Sequence, residues 1–141
     1  MNREDKDLLF GYLSMALPYD VCVHIRYKEG EPCYGKLTPR DIQWFIDSNI
    51  EVIKPYLRSM SSMTEEEDKQ RIQLGIWRSS QTNGHEVTGI KPDIFQSYNS
   101  QAFQRAFNFL LKNHFDIFGL IPKGLAIAVT KENNPYNIME E

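Results

Sequence analysis

Val21-Cys22-Val23-His24-Ile25-Arg26-Tyr27 is the stretch whose reading decides the fold. Val21, Val23, Ile25 and Tyr27 alternate with Cys22, His24 and Arg26, the period of a strand with one buried face. Lys28-Glu29-Gly30-Glu31 then reads as a turn and Pro32 to Leu37 as the returning strand, giving a hairpin over 21–37. Pro32 has no N–H, so the second strand should lie at a sheet edge or begin there. With the turn centred on Glu29-Gly30, Cys33 falls opposite Arg26 and Cys22 opposite Leu37. The two thiols then share a sheet face about 13 Å apart. A disulfide needs Cα atoms within about 7 Å, so both cysteines read as reduced.

Outward from the hairpin the period changes. Leu8, Leu9, Tyr12, Leu13, Ala16 and Leu17 recur at helical spacing. Asn2 stands as a cap and acids fill the first turn, which predicts a helix from Arg3 to Leu17. On the other side, Thr38-Pro39-Arg40-Asp41 is a helix start, with proline at the first helical position. Ile42, Phe45 and Ile46 share a helical face, although Ile42, Trp44 and Ile46 also alternate like a strand; a short helix is favoured. A short strand near 50–53 follows, then an extended connector from Pro55 to Met63. Thr64-Glu65-Glu66-Glu67 is a capping box that opens a helix running to about Leu74.

Residues 78–89 are rich in Ser, Thr, Asn and Gly and read as a mobile loop. The tail over 131–141 is expected to fray. Between them, Phe103, Ala106, Phe107, Leu110, Leu111 and His114 mark a C-terminal helix from about Ser100. Its end turns on Gly and Pro and re-enters the core as an apolar segment through Leu125-Ala126. The sum is an α+β fold in a single domain over 1–141. A small antiparallel sheet (the 21–37 hairpin plus the strand near 50–53) packs against three or four helices. Val21, Val23 and Ile25 are expected beneath Leu13, Phe107 and Leu110.

At 141 residues such a chain removes about two-thirds of its unfolded surface from water. The content of 41% hydrophobic and 12% aromatic residues excludes whole-chain disorder. Net charge is -3 and no basic stripe is visible, which disfavours a nucleic-acid partner. The charged start Met1–Asp7 is unlike a signal peptide, and no apolar run approaches the ~20 residues that span a bilayer. The expected setting is cytoplasmic, away from membranes.

No P-loop, nucleophile elbow, zincin helix or paired CxxC is present, and no cofactor is expected. The sharpest catalytic constellation is Cys33 facing Arg26, with His24 beside it: a cation to lower the thiol pKa and a base within reach. Cys22 and His24 share a strand face but need further ligands to hold a metal, so no metal is expected. His114 and Asp116 suit acid–base work, or more simply a histidine at a helix end and an aspartate capping the next turn. Lys54, Tyr56 and Arg58 alternate in an extended stretch and offer a basic-aromatic interaction surface.

Two strings stand out, Lys54-Pro55-Tyr56-Leu57-Arg58-Ser59-Met60-Ser61-Ser62-Met63-Thr64-Glu65-Glu66-Glu67 and Asn113-His114-Phe115-Asp116 continuing to Gly119-Leu120-Ile121-Pro122-Lys123-Gly124-Leu125-Ala126. Together they resemble a family of small proteins from gut bacteria and their phages or prophages, for which no activity is known. The resemblance implies a mobile-element setting and brings no catalytic residue. The function expected is a non-catalytic accessory module binding a protein partner, with homo-oligomerisation open. The alternatives are a small thiol-dependent enzyme using Cys33 with Arg26 and His24, and a nucleic-acid-associated regulator using the Lys54–Arg58 face.

Overall fold

The computed structural model describes residues 2–28, 31–80, 86–90 and 100–136, with backbone alone for 77–80, 86–90 and 100–103. Helix α1 spans Arg3–Ala16, and the Asn2 side chain accepts from the Asp5 N–H, which satisfies a free donor of the first turn. Leu9, Tyr12, Leu13 and Ala16 form its buried stripe. A 3-10 turn, Leu17–Tyr19, follows at Pro18. Strands β1 (Cys22–Tyr27) and β2 (Cys33–Lys36) form the expected hairpin. Helix α2, Pro39–Ile46, resolves the helix-or-strand ambiguity. Its capping box, Thr38 with Asp41, favours the helix. The Asp41 carboxylate also accepts from Tyr27 Oη at 3.0 Å. Burial first, then that carboxylate, pushes the Tyr27 phenol up to about 12.

Strand β3 (Ile50–Leu57) is longer than expected and runs through Pro55. Leu57 O accepts from Val129 N on the side away from β1. Backbone polar groups alternate sides along a strand, so position 55 also faces away from β1. Its missing N–H therefore removes no bond from the β1–β3 ladder. Helix α3 (Glu65–Gln73) carries the predicted Thr64–Glu67 capping box, and α4 spans Ser100–Lys112.

The fold is α+β with a small sheet, but that sheet is mixed. Its order is β2-β1-β3 and then β6, Ile127–Ala128, with β2 at an edge. The last strand, β6 (Ile127–Ala128), lies parallel to β3. A parallel neighbour needs a long crossover, and the chain between 58 and 126 supplies it.

Two local expectations are corrected. The hairpin register differs by one residue: Ile25 pairs Cys33, and Cys22 pairs Lys36. The expected register would have put Tyr34 and Lys36 opposite Ile25 and Val23, on the apolar face. A one-residue slip exchanges the faces of a strand, so hydrophobic patterning outweighs the assumed turn. Within the loop read over 78–89, strands β4 (Ile76–Ser80) and β5 (Glu86–Ile90) pair antiparallel in a second, two-stranded sheet; residues 81–85 lie outside the described residues. Ile76, Trp77, Val87 and Ile90 carry the strand propensity; of the residues that suggested a loop, Thr82, Asn83 and Gly84 fall between the strands, while Ser79, Ser80, Thr88 and Gly89 lie in them. At the start of the tail Pro135 is buried and Tyr136 is hydrogen-bonded to the sheet. Residues 137–141 lie outside the described residues.

Two apolar clusters form. Val21, Val23 and Ile25 pack with Leu9, Leu13 and Leu111 in the larger one, and Phe107 borders it. Leu110 was expected there and instead joins Met60, Ile76, Ala106 and Phe115 in the second. Adjacent leucines on a helix point about 100° apart, so Leu110 and Leu111 serve different clusters.

Tyr12 is fully buried, and its Oη has no hydrogen-bond partner among the described residues. Its ring meets Phe118 edge-on at 6.0 Å. Tyr12→Phe keeps that packing and removes an unpaired buried hydroxyl, so the thermal midpoint is expected to rise, by about 1 kcal/mol of added stability. A lowered midpoint would show that the hydroxyl has a partner.

Candidate functional site

The Lys54, Tyr56 and Arg58 surface is not available as a unit. Tyr56 is buried. Arg58 lies against the interior: Nη1 and Nη2 meet Glu67 Oε2 and Oε1 at 2.8 and 2.6 Å, and its Cζ sits 4.5 Å above the Phe115 ring. This Arg58 pair is the first cause holding the Glu67 carboxyl below the usual carboxylate range. Lys54 remains half-exposed on the sheet.

The thiol constellation is also separated. In the observed register Cys33 lies on the face of Val23 and Ile25, while His24 and Arg26 lie on the other. Arg26 pairs instead with Glu51 at 3.0 Å. Cys33 is exposed and Cys22 buried, and burial is the main cause raising the Cys22 thiol. Among the described residues no group of three or more His, Cys, Asp or Glu is placed to hold a metal ion. No helix among them is long and apolar enough to cross a membrane.

What the structure does bring together is a polar corner. There the end of α4 meets the start of β1 and the chain near 136, around a recess of about 500 Å³. His114 has a left-handed backbone, φ 62°, which carries the chain out of α4. Its ring stacks on Tyr136 at 4.1 Å and 10°. Nε2 lies 2.8 Å from Tyr19 O; a carbonyl only accepts, so Nε2 carries the proton. Asp116 caps the following turn as expected, accepting from Leu120 N at 2.8 Å and Ile121 N at 2.9 Å. Its carboxyl is nonetheless raised, because burial outweighs these bonds.

Three more polar groups of the corner have internal partners. Lys36 faces Asp20 at 3.8 Å, Asn113 donates to Phe109 O, and Asn134 accepts from Tyr136 N. Side chains bonded this way form no nucleophile–base pair in the recess among the described residues.

Burial is the main cause lowering the His114 pKa, with the Tyr19 carbonyl opposing it. Above the unfolded value near 6.5 both states are neutral and His114 adds no pH dependence. As pH falls through that value, the unfolded chain binds a proton that the folded ring resists. Stability is therefore lost between about pH 6.5 and the lower folded pKa. Urea midpoints at about pH 7.5 and about pH 5.5 should fall in that order, with a smaller drop in His114→Gln. Equal drops in both proteins would remove His114 as the cause.

The recess that sequence reading missed lies between α1 and α2. It measures about 490 Å³, with Phe10, Phe45 and Ile46 as its apolar wall and Arg3, Lys6 and Asp7 around it. Phe10 is 37% and Ile46 49% exposed. Lys6 Nζ lies 5.5 Å over the Phe45 ring and bonds Ser48 Oγ at 3.4 Å. A signal for it exists in the sequence: Phe10 is a large apolar residue off the Leu9–Tyr12–Leu13–Ala16 stripe. No protein-family model, no curated protein and no solved structure matches the chain at a significant level.

Proposed function

We propose that this chain is a non-catalytic binding module that takes an apolar-anchored segment of a protein partner in the α1–α2 groove. The setting proposed is the phage or prophage one that the two quoted strings suggest. One observation carries the reading: Phe10 and Ile46, two large exposed apolar side chains on different helices, line the same groove. Large apolar groups gathered in one recess with a polar rim are the usual anchor of a protein interface. Arg3 and Lys6 against the single acid Asp7 suit a segment with acidic flanks. The internal bonding of Arg58, His114 and Asp116 supports a non-catalytic role.

The test places a photoreactive phenylalanine analogue at position 10 of the full chain in its native host. Irradiation should give one discrete adduct with a second protein, and Ile46→Glu should abolish it. No adduct, or an adduct indifferent to Ile46→Glu, would remove the groove from the proposal. An adduct between two copies of this chain would overturn the separate partner in favour of self-assembly.

A further inference from the structure

The sheet has a second face, turned away from the apolar core. β1 and β2 pair His24 with Tyr34, and β1 and β3 pair His24 with Lys54. Tyr34, His24 and Lys54 thus form one cross-strand row over three neighbouring strands, each about 5 Å from the next. Lys36 follows Tyr34 on the same side of β2, about 7 Å along the strand. Arg26 lies on the same side of β1. Tyr34 is 57% exposed, so one large aromatic ring stands in solvent among cations.

The charge on this face is unlike that of the whole chain, which is -3. Arg26, Lys36 and Lys54 are its cations. The acids beside them are Glu51, paired with Arg26 at 3.0 Å, and Asp20, paired with Lys36 at 3.8 Å. Lys54 makes no ion pair among the described residues. Lys36 also borders the corner recess, where Lys112 adds a further cation.

We propose that this face binds single-stranded nucleic acid, with a base stacked on Tyr34 and phosphates held by Lys36 and Lys54. An exposed aromatic ring interleaved with cations on an open sheet face is the chemistry that single strands use, since every base has a free π-face and every link a charge. A duplex keeps its bases stacked on one another and offers Tyr34 nothing to cover. An acidic peptide meets the lysines and leaves the ring unused. The platform lies away from the α1–α2 groove and is independent of it.

The test is fluorescence anisotropy of labelled oligouridine and oligothymidine with the full chain at low salt. Binding should weaken as salt rises, with a shallower slope in the Lys36→Gln, Lys54→Gln double variant. Tyr34→Ala should weaken binding about 5- to 150-fold, and Tyr34→Phe should keep it, because stacking needs the ring alone. Photocrosslinking of a bromouridine strand to the wild-type chain should map to Tyr34 or His24 and needs no variant. The proposal is overturned by absent binding at low salt, by Tyr34→Ala binding like the wild type, or by crosslinks elsewhere. Displacement of the strand by polyglutamate at equal charge would also overturn it, in favour of an acidic protein.

Discussion

Arg58→Ala is expected to lower the unfolding free energy by about 2–4 kcal/mol, toward the cost of breaking a buried ion pair from one side. The Arg58 and Glu67 side chains are only 23% and 16% exposed, so water recovers little of what is lost. Four contacts go at once: both bonds to Glu67, the bond from Nη2 to Ser62 O at 3.2 Å, and the cover over Phe115. The backbone at 58 stays tied, its N–H to His114 O and its carbonyl to Asp116 N, so the effect belongs to the side chain. Glu67 also accepts from Thr64 N at 2.9 Å, so the loss leaves the capping carboxylate of α3 half-buried without its cation.

Arg58→Lys should recover less than half of the difference, because an ammonium cannot present two parallel donors. A pH arm separates charge from packing. The folded Glu67 pKa lies below its unfolded value near 4.3, so its contribution is present above that value and lost as pH falls through the folded pKa. The wild type should lose stability over that acid range, and Arg58→Ala should lose less. Urea unfolding near neutral pH with wild-type stability in Arg58→Ala would defeat the prediction.

Tyr136→Phe carries the second large effect, about 2–3 kcal/mol, for the loss of one oxygen atom. That hydroxyl donates to Tyr56 O at 2.6 Å and accepts from Cys22 N at 3.1 Å. It sits just past Val23↔Pro55, where the β1–β3 ladder ends. Without it a part-buried donor and acceptor are both left unmade, each costing about 1–3 kcal/mol. Phenylalanine preserves the stack on His114, so the hydroxyl is isolated. Burial of this phenol pushes its pKa far above the usual tyrosine range, and it stays a donor at any ordinary pH. The sharper readout is hydrogen exchange: the Cys22 amide should lose protection in Tyr136→Phe. Unchanged exchange there would show that the bond is idle.

Local signals in the sequence transferred well. The Thr64–Glu67 box, the Asn2 cap, the Thr38-Pro39 helix start and the alternation in β1 each act within a few residues, and each appears where the pattern placed it. What did not transfer depends on distant partners. The hairpin register rested on an assumed turn, and with it fell the Cys33–Arg26–His24 grouping. Pro55 reads locally as a strand end, yet β3 continues through it because its free side faces away from β1. Lys54, Tyr56 and Arg58 share a period, but the Phe115 ring and the Glu67 carboxylate claim Arg58, and Tyr56 is buried. The groove of Phe10 and Ile46 needs two helices side by side, a relation no window of sequence contains.

The Tyr136 bridge has a consequence for how the molecule is made. It joins Tyr136 to positions 114 and 80 residues before it, so its hydroxyl is synthesised well after both of its partners. A nascent chain carrying α1 and β1 to β3 waits with one edge of β3 bare and the head of β1 open. Long-range closure of that kind is slow, and an uncovered edge invites association with other strands. Chains halted before residue 136 should accumulate as aggregates, whereas chains extended past it should fold in a late, cooperative step.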